Sequence, residues 1–108
     1  MPCGMIDLME VRNNTYIDIR RASPGDLLEY TGLPVKFGRV MNLSFLHYVK
    51  INAGDRYLFM SLEPTDPSEV PGHVPFCVYL LTNSRILAVG ITKHELAMPA
   101  SSRMWRLL

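Results

Sequence analysis

Turn-forming clusters interrupt this chain at short intervals, and they constrain its fold more than any other feature. They stand at Asn13-Asn14, Ser23-Pro24-Gly25-Asp26, Thr31-Gly32, Asn52-Ala53-Gly54-Asp55, residues 64–75 and Thr82-Asn83-Ser84. Spacings of this kind leave room for strands and little room for helices. Between the clusters the residues alternate. Residues 15–20 set Ile17 and Ile19 against Tyr16, Asp18 and Arg20, and residues 35–41 set Val35, Phe37 and Met41 on one side. Phe45, His47, Val49 and Ile51 share a face opposite Leu46, Tyr48 and Lys50, and residues 56–62 alternate too. Period-two patterning of this type marks half-buried strands. Residues 76–81 and 86–91 are nearly continuous apolar runs, which predicts central strands covered on both faces.

Helix signals are sparse. Thr92 and Glu95 form a Thr-x-x-Glu capping box, and Pro99 ends whatever helix it starts. Residues 101–108 fit a last amphipathic turn or a frayed end. Residues 64–75 hold four of the eight prolines and read as an extended loop between sheet segments. The expectation is a mainly β fold, α+β at most. It is a single small domain over residues 1–108, with about six antiparallel strands in a curled sheet or partly open barrel and one or two short helices. Residues 1–14 and 99–108 are expected to be loose ends.

Size and charge then exclude several function classes. A chain of 108 residues buries about 60–70% of its unfolded surface, enough for one core and not for two lobes. Eleven Lys and Arg against ten Asp and Glu give a net charge of +1, which supplies little of the field a dedicated nucleic-acid binder uses. Neither a phosphate-binding glycine loop nor a serine nucleophile elbow is present. Cys3 and Cys77 offer no disulfide framework and no four-ligand zinc cluster, so no cofactor and no metal are expected. Reduced cysteines, the lack of a secretory signal at the N-terminus and the lack of any long apolar run predict a soluble, intracellular protein. Peripheral contact with a membrane is left open. Trp105, the terminal leucines and the cations Arg85, Lys93, Arg103 and Arg106 are one way to make it.

Among the histidines, His73 and His94 read as exposed and inert, and His47 has two readings. It is either a partly buried strand histidine satisfied by a backbone carbonyl, or a general base held rigidly on a sheet. Cys77, between apolar neighbours on a strand, reads as a core thiol, and Cys3 lies in the N-terminal tail. The methionines are scattered and read as core filler.

Pro24-Gly25-Asp26-Leu27-Leu28-Glu29-Tyr30, then Leu46-His47-Tyr48-Val49-Lys50-Ile51, then Gly54-Asp55-Arg56-Tyr57-Leu58 form a longer pattern. With the Pro-rich loop and the strand at residues 83–91, this stretch of residues 22–92 resembles the lecithin:retinol acyltransferase-like domains, relatives of the NlpC-type cysteine peptidases. The resemblance implies acyl transfer from, or hydrolysis of, a phospholipid. A strand histidine activates a cysteine thiolate, the thiolate takes the acyl group as a thioester, and a second polar residue orients the imidazole. On that pattern His47 matches the base. Leu58, Phe59 and Met60 are apolar where the orienting residue belongs, leaving Ser61 or Glu63. The family's Asn-Cys box is absent, so Cys77 is the remaining nucleophile candidate and the domain would be a degenerate or truncated one. The alternative is a non-catalytic small β-barrel module that binds a protein or nucleic acid through exposed side chains such as Arg20, Tyr30 and Arg39. The first reading places a phospholipid or membrane surface among the partners, the second a protein, with nucleic acid disfavoured by the charge.

Overall fold

Asn83 and Ser84 adopt positive φ values of 46° and 62°, and the tight turn they form joins two strands paired from Thr82↔Arg85 to Phe76↔Ile91. A two-residue turn with both central residues in the left-handed region matches the natural twist of a hairpin. This hairpin is the centre of a computed structural model that describes residues 16–66, 68, 72–98 and 104–108. The strands are β1 (Leu27–Tyr30), β2 (Lys36–Val40), β3 (Tyr48–Ile51), β4 (Arg56–Pro64), β5 (Phe76–Thr82), β6 (Arg85–Ile91) and β7 (Trp105–Leu107). One short helix, α1 (Lys93–Ala97), and a 3-10 turn over Ile19–Arg21 complete the described elements.

All seven strands form one antiparallel sheet in the order β3-β2-β6-β5-β4-β1-β7, curled into a half-barrel. Its inner face is the core, with Leu28, Ile51, Val78, Leu80, Leu87 and Val89 among its most deeply buried side chains. Ile17, Leu96 and Met98 pack against this core. In β4 a bulge between Phe59 and Ser61 inserts an extra residue, so both Phe59, opposite Leu80, and Leu62, opposite Val78, face inward. β5 and β6 bury one face fully and the other by half, rather than both fully as their continuous apolar runs suggest.

The mainly β sheet matches expectation, and four details differ. Residues 15–20 do not form a strand across their described part: Tyr16 makes one bridge to Arg106, and Asp18 caps the 3-10 turn. The C-terminal segment is neither a helical turn nor frayed where described. It is β7, a seventh strand whose Trp105 stacks on Tyr30 with ring centroids 4.9 Å apart. Trp105 is 2% exposed, which removes it from any membrane-facing role. The third difference is the phase of β2. Lys36, Gly38 and Val40 face the core, while Val35 and Phe37 face solvent. Gly38 belongs inside because a Cβ there would stand 3.2 Å from that of Leu87. Lys36 is tolerated inside because its ammonium pairs with Glu95 of α1 and donates to the Gly90 carbonyl. Fourth, Tyr30 is buried, its hydroxyl donating to the Pro34 carbonyl, so it is not an exposed binding residue.

Thr92 caps the helix as its sequence position predicts, but the Glu95 carboxylate meets the Thr92 hydroxyl and the Lys36 ammonium rather than closing the box on the Thr92 N–H. The Thr92 hydroxyl accepts from the Glu95 N–H at 3.1 Å and lies 3.2 Å from Glu95 Oε1, while Met98 follows the helix as its C-cap.

Candidate functional site

His47 immediately precedes β3, and its carbonyl accepts from the Val40 N–H at 2.8 Å. Its side chain is exposed, with the ring edge-on to Phe45 at a centroid distance of 6.1 Å. Cys77 lies on β5 opposite Glu63 of β4 and Gly90 of β6. It is half-buried, and that burial pushes its thiol above the ordinary cysteine range. Strands β6 and β2 stand between β5 and β3. Val40, the hydrogen-bond partner of His47, is opposite Leu87 on the inner face of β6, whereas Cys77 is opposite Gly90 on the outer face. The register therefore sets His47 and Cys77 at different levels of the sheet, with two strands between theirs. Ser61, opposite Tyr79, and Glu63, opposite Cys77, lie on β4, beyond β5 from His47.

His73 and His94 are both exposed, and Cys3 lies outside the described residues. No group of three or more His, Cys, Asp and Glu side chains able to hold a metal ion occurs among the described residues. Arg20 is engaged by Asp18, with Nε 3.0 and 3.1 Å from its two carboxylate oxygens, and this hydrogen bonding holds the Asp18 carboxyl below its usual range. Arg39 is half-buried, with Nη2 3.7 Å from Met41 Sδ.

A different surface gathers the unusual side chains. Of the ten large apolar residues that are exposed among the described residues, seven lie between Leu33 and Tyr48. At the tip of the β2–β3 connection, Leu43 is 44% exposed, Phe45 63% and Leu46 69%. Scattered exposed apolar residues are ordinary, but a contiguous group marks an interaction site. Behind the tip is a cavity of about 490 Å³ lined by Met41, Leu43, Phe45, His47, Leu81 and Ile86, with Arg85 at its border. The same stretch has a charge bias that the sequence reading passed over: between Glu29 and Asp55 there is no Asp or Glu, while Lys36, Arg39 and Lys50 fall inside it. That run of residues without an acid is the signal that was available in the sequence. The apolar exposure was not, because alternation alone assigned Phe37, Phe45 and their neighbours to the core.

Arg85 also borders a second cavity of about 580 Å³, together with Lys50, Arg56, Tyr57, Asn83 and Leu87. Cys77 lines neither cavity. Among the described residues no helix is long and apolar enough to cross a membrane. Comparison with protein-family models, with curated proteins and with solved structures gave no match.

Proposed function

We propose that the chain is a non-catalytic binding module that attaches to an anionic lipid surface through the β2–β3 connection. The observation that carries this reading is the exposed group Leu43, Phe45 and Leu46 at one loop tip, bordered by Arg39 and Arg85, with no acidic residue between Glu29 and Asp55. Burying a Leu or Phe side chain is worth about 1.5–3 kcal/mol. Each cation near an anionic bilayer adds about 1 kcal/mol. Three apolar side chains and two cations supply reversible attachment after the cost of immobilising the domain.

The catalytic reading needs the His47 imidazole against a cysteine thiolate. His47 has Phe45 as its ring neighbour, and the one described cysteine lies on β5, with β6 and β2 between it and β3, its thiol form favoured by burial. A thiol kept protonated by burial is a poor nucleophile. These arguments favour binding over acyl transfer.

Sedimentation with phosphatidylcholine vesicles, with and without phosphatidylserine, tests the proposal. Binding is expected only with the anionic lipid, weakening as salt is raised. The double variant Phe45→Ser/Leu46→Ser should lower the partition more than about tenfold, since losing either apolar contact exceeds the 1.4 kcal/mol of one decade. Equal recovery with and without vesicles, or binding unchanged in the double variant, overturns it. Recognition of a protein rather than a membrane would appear as the first of these outcomes.

A further inference from the structure

β3 pairs with β2 on one side and ends the sheet on the other, where it has no second neighbour among the described residues. One hydrogen bond tells which of its backbone groups stand on the free side. The Val40 N–H donates to the His47 carbonyl at 2.8 Å, and these two residues are opposite in the register that sets Arg39 against Tyr48 and Gly38 against Val49. Bonded and non-bonded pairs alternate along an antiparallel ladder, so His47, Val49 and Ile51 turn their N–H and C=O groups to β2. Those of Tyr48 and Lys50 point out of the edge. The side chains divide in the same way between the faces. Val49 is opposite Gly38, which faces the core, whereas Tyr48 and Lys50 are opposite Arg39 and Phe37 on the outer face. Tyr48 and Phe37 are each 57% exposed.

A charge is one of the usual guards of a sheet edge, and Lys50 is the only charged residue of β3. Its effect on a second copy of the strand depends on what it meets there. Antiparallel pairing about a two-fold axis through Val49 sets Tyr48 of each copy opposite Lys50 of the other. Both residues point out of the edge, so each such pair exchanges two backbone bonds, and both side chains lie on the outer face. Each ammonium then has a tyrosine ring beside it instead of a cation, and Val49 meets its own copy on the core side. The other registers fail. An axis through Lys50 opposes the two lysines and calls on the Asn52 N–H, which Asp55 Oδ2 already holds at 3.0 Å. An axis through Tyr48 leaves Lys50 opposite Leu46, outside the strand. An axis between two residues opposes a core face to an outer face.

We infer that the free edge of β3 pairs with β3 of a second copy of this chain, in the antiparallel register centred on Val49. The inference goes beyond the lipid-surface reading and does not depend on it. The contact leaves Leu43, Phe45 and Leu46 free and, because the two strands run in opposite directions, sets the two loop tips at opposite ends. Strands of four residues make a small contact, so the pairing belongs to the weak, reversible class below about 1,200 Å² of buried surface.

Sedimentation equilibrium of the purified chain without lipid, from about 1 μM to about 1 mM, tests it, and a reversible equilibrium between monomer and dimer is expected. Lys50→Pro removes an outward N–H and leaves the bonds to β2 in place. It should weaken the dimer at least about tenfold, since the two-fold axis doubles the loss, while thermal unfolding of the dilute monomer shows that the variant is folded. Oxidation reads the register, with the unsubstituted chain as the background for Cys3 and Cys77. Val49→Cys stands on the axis, where opposed non-bonded residues have Cα atoms about 4.5 Å apart, and should give a disulfide-linked dimer. Lys50→Cys meets Tyr48 and should not. A chain that stays monomeric at every concentration overturns the inference, and an edge that takes a strand from another protein would give that result. A dimer that survives Lys50→Pro, or one cross-linked equally by Val49→Cys and Lys50→Cys, overturns it too. Dimerisation without vesicle binding supports this inference and fails the lipid-surface reading; vesicle binding by a strictly monomeric chain does the reverse.

Discussion

At the β1–β7 end of the sheet, Leu28, Tyr30 and Trp105 are sealed almost completely, while at the β2–β3 end Phe37, Phe45 and Tyr48 are each more than half exposed. Both ends are sheet edges, and an uncovered edge invites pairing with another chain. The β7 edge is covered: Tyr16 bridges to Arg106, and the Ile17 N–H donates to the Trp105 carbonyl at 3.0 Å. On the outer face there, Glu29 lies between Arg106 and Arg56. The β3 edge has no such cover among the described residues. Similar side chains thus stabilise the fold at one edge and stay available to a partner at the other. Position in the curl, rather than residue type, decides which.

Substitutions can break that contrast, beginning with the sealed edge. Trp105→Ala should cost about 3–5 kcal/mol in urea unfolding, the usual penalty for emptying a buried aromatic site. A cost below about 1 kcal/mol would show that β7 does not complete the core. Lys36→Met leaves the Glu95 carboxylate buried without its cation and should cost about 3 kcal/mol, whereas Lys36→Met/Glu95→Leu should recover most of the loss. No recovery in the double variant would mean that the pair contributes more than the removal of a stranded charge.

The third test is alkaline. Burial, first of all, raises both Tyr30 and Tyr57 above the ordinary tyrosine range, and the charge of Asp55 adds to the rise at Tyr57. Above about pH 10 the unfolded chain releases these two protons and the folded chain keeps them. The unfolded state then binds fewer protons, so stability falls as pH rises, by up to about 2.7 kcal/mol per pH unit for two groups. Tyr57→Phe should lower that slope by up to about 1.4 kcal/mol per pH unit. A slope unchanged in the variant would remove Tyr57 from the explanation. The smallest effect belongs to the open edge: Phe45→Ser/Leu46→Ser should change unfolding stability by no more than about 0.5 kcal/mol, while lowering vesicle binding more than about tenfold. A larger loss would place these side chains in the fold and end the comparison.

The β5–β6 hairpin was legible because its signals are local: two apolar runs, a turn between them, and a capping box directly after the second. The phase of β2 was not. A lysine at a strand position reads as solvent-facing, and its neutralising Glu95 sits on a helix that local alternation cannot see. Gly38 likewise gives no hydropathic hint that it faces the core, since its role is to leave room for Leu87 and Val89. Trp105 was legible as apolar but not as a strand residue, because three residues are too few to show a period and their partner, β1, is remote in sequence. The candidate site was half legible. His47 and Cys77 could be picked out as reactive types, but only the strand order shows two strands between theirs.

The turn that follows β3 is fastened to the opposite part of the sheet. The Gly54 N–H donates to the Tyr30 carbonyl at 2.8 Å, and the Tyr30 N–H donates to the Asp55 carbonyl at 3.0 Å. Next to them Gly32, at φ 96°, passes so close that a Cβ would stand 2.7 Å from that of Ala53. A pull on the loop tip, as when an anchored domain is dragged by a tether or by flow, would therefore not peel the β2–β3 hairpin away by itself. The load would pass along β3 into this fastening and reach β1, where it is shared in shear with β4 and β7. An end that looks like a loose flap is mechanically continuous with the best-buried part of the molecule.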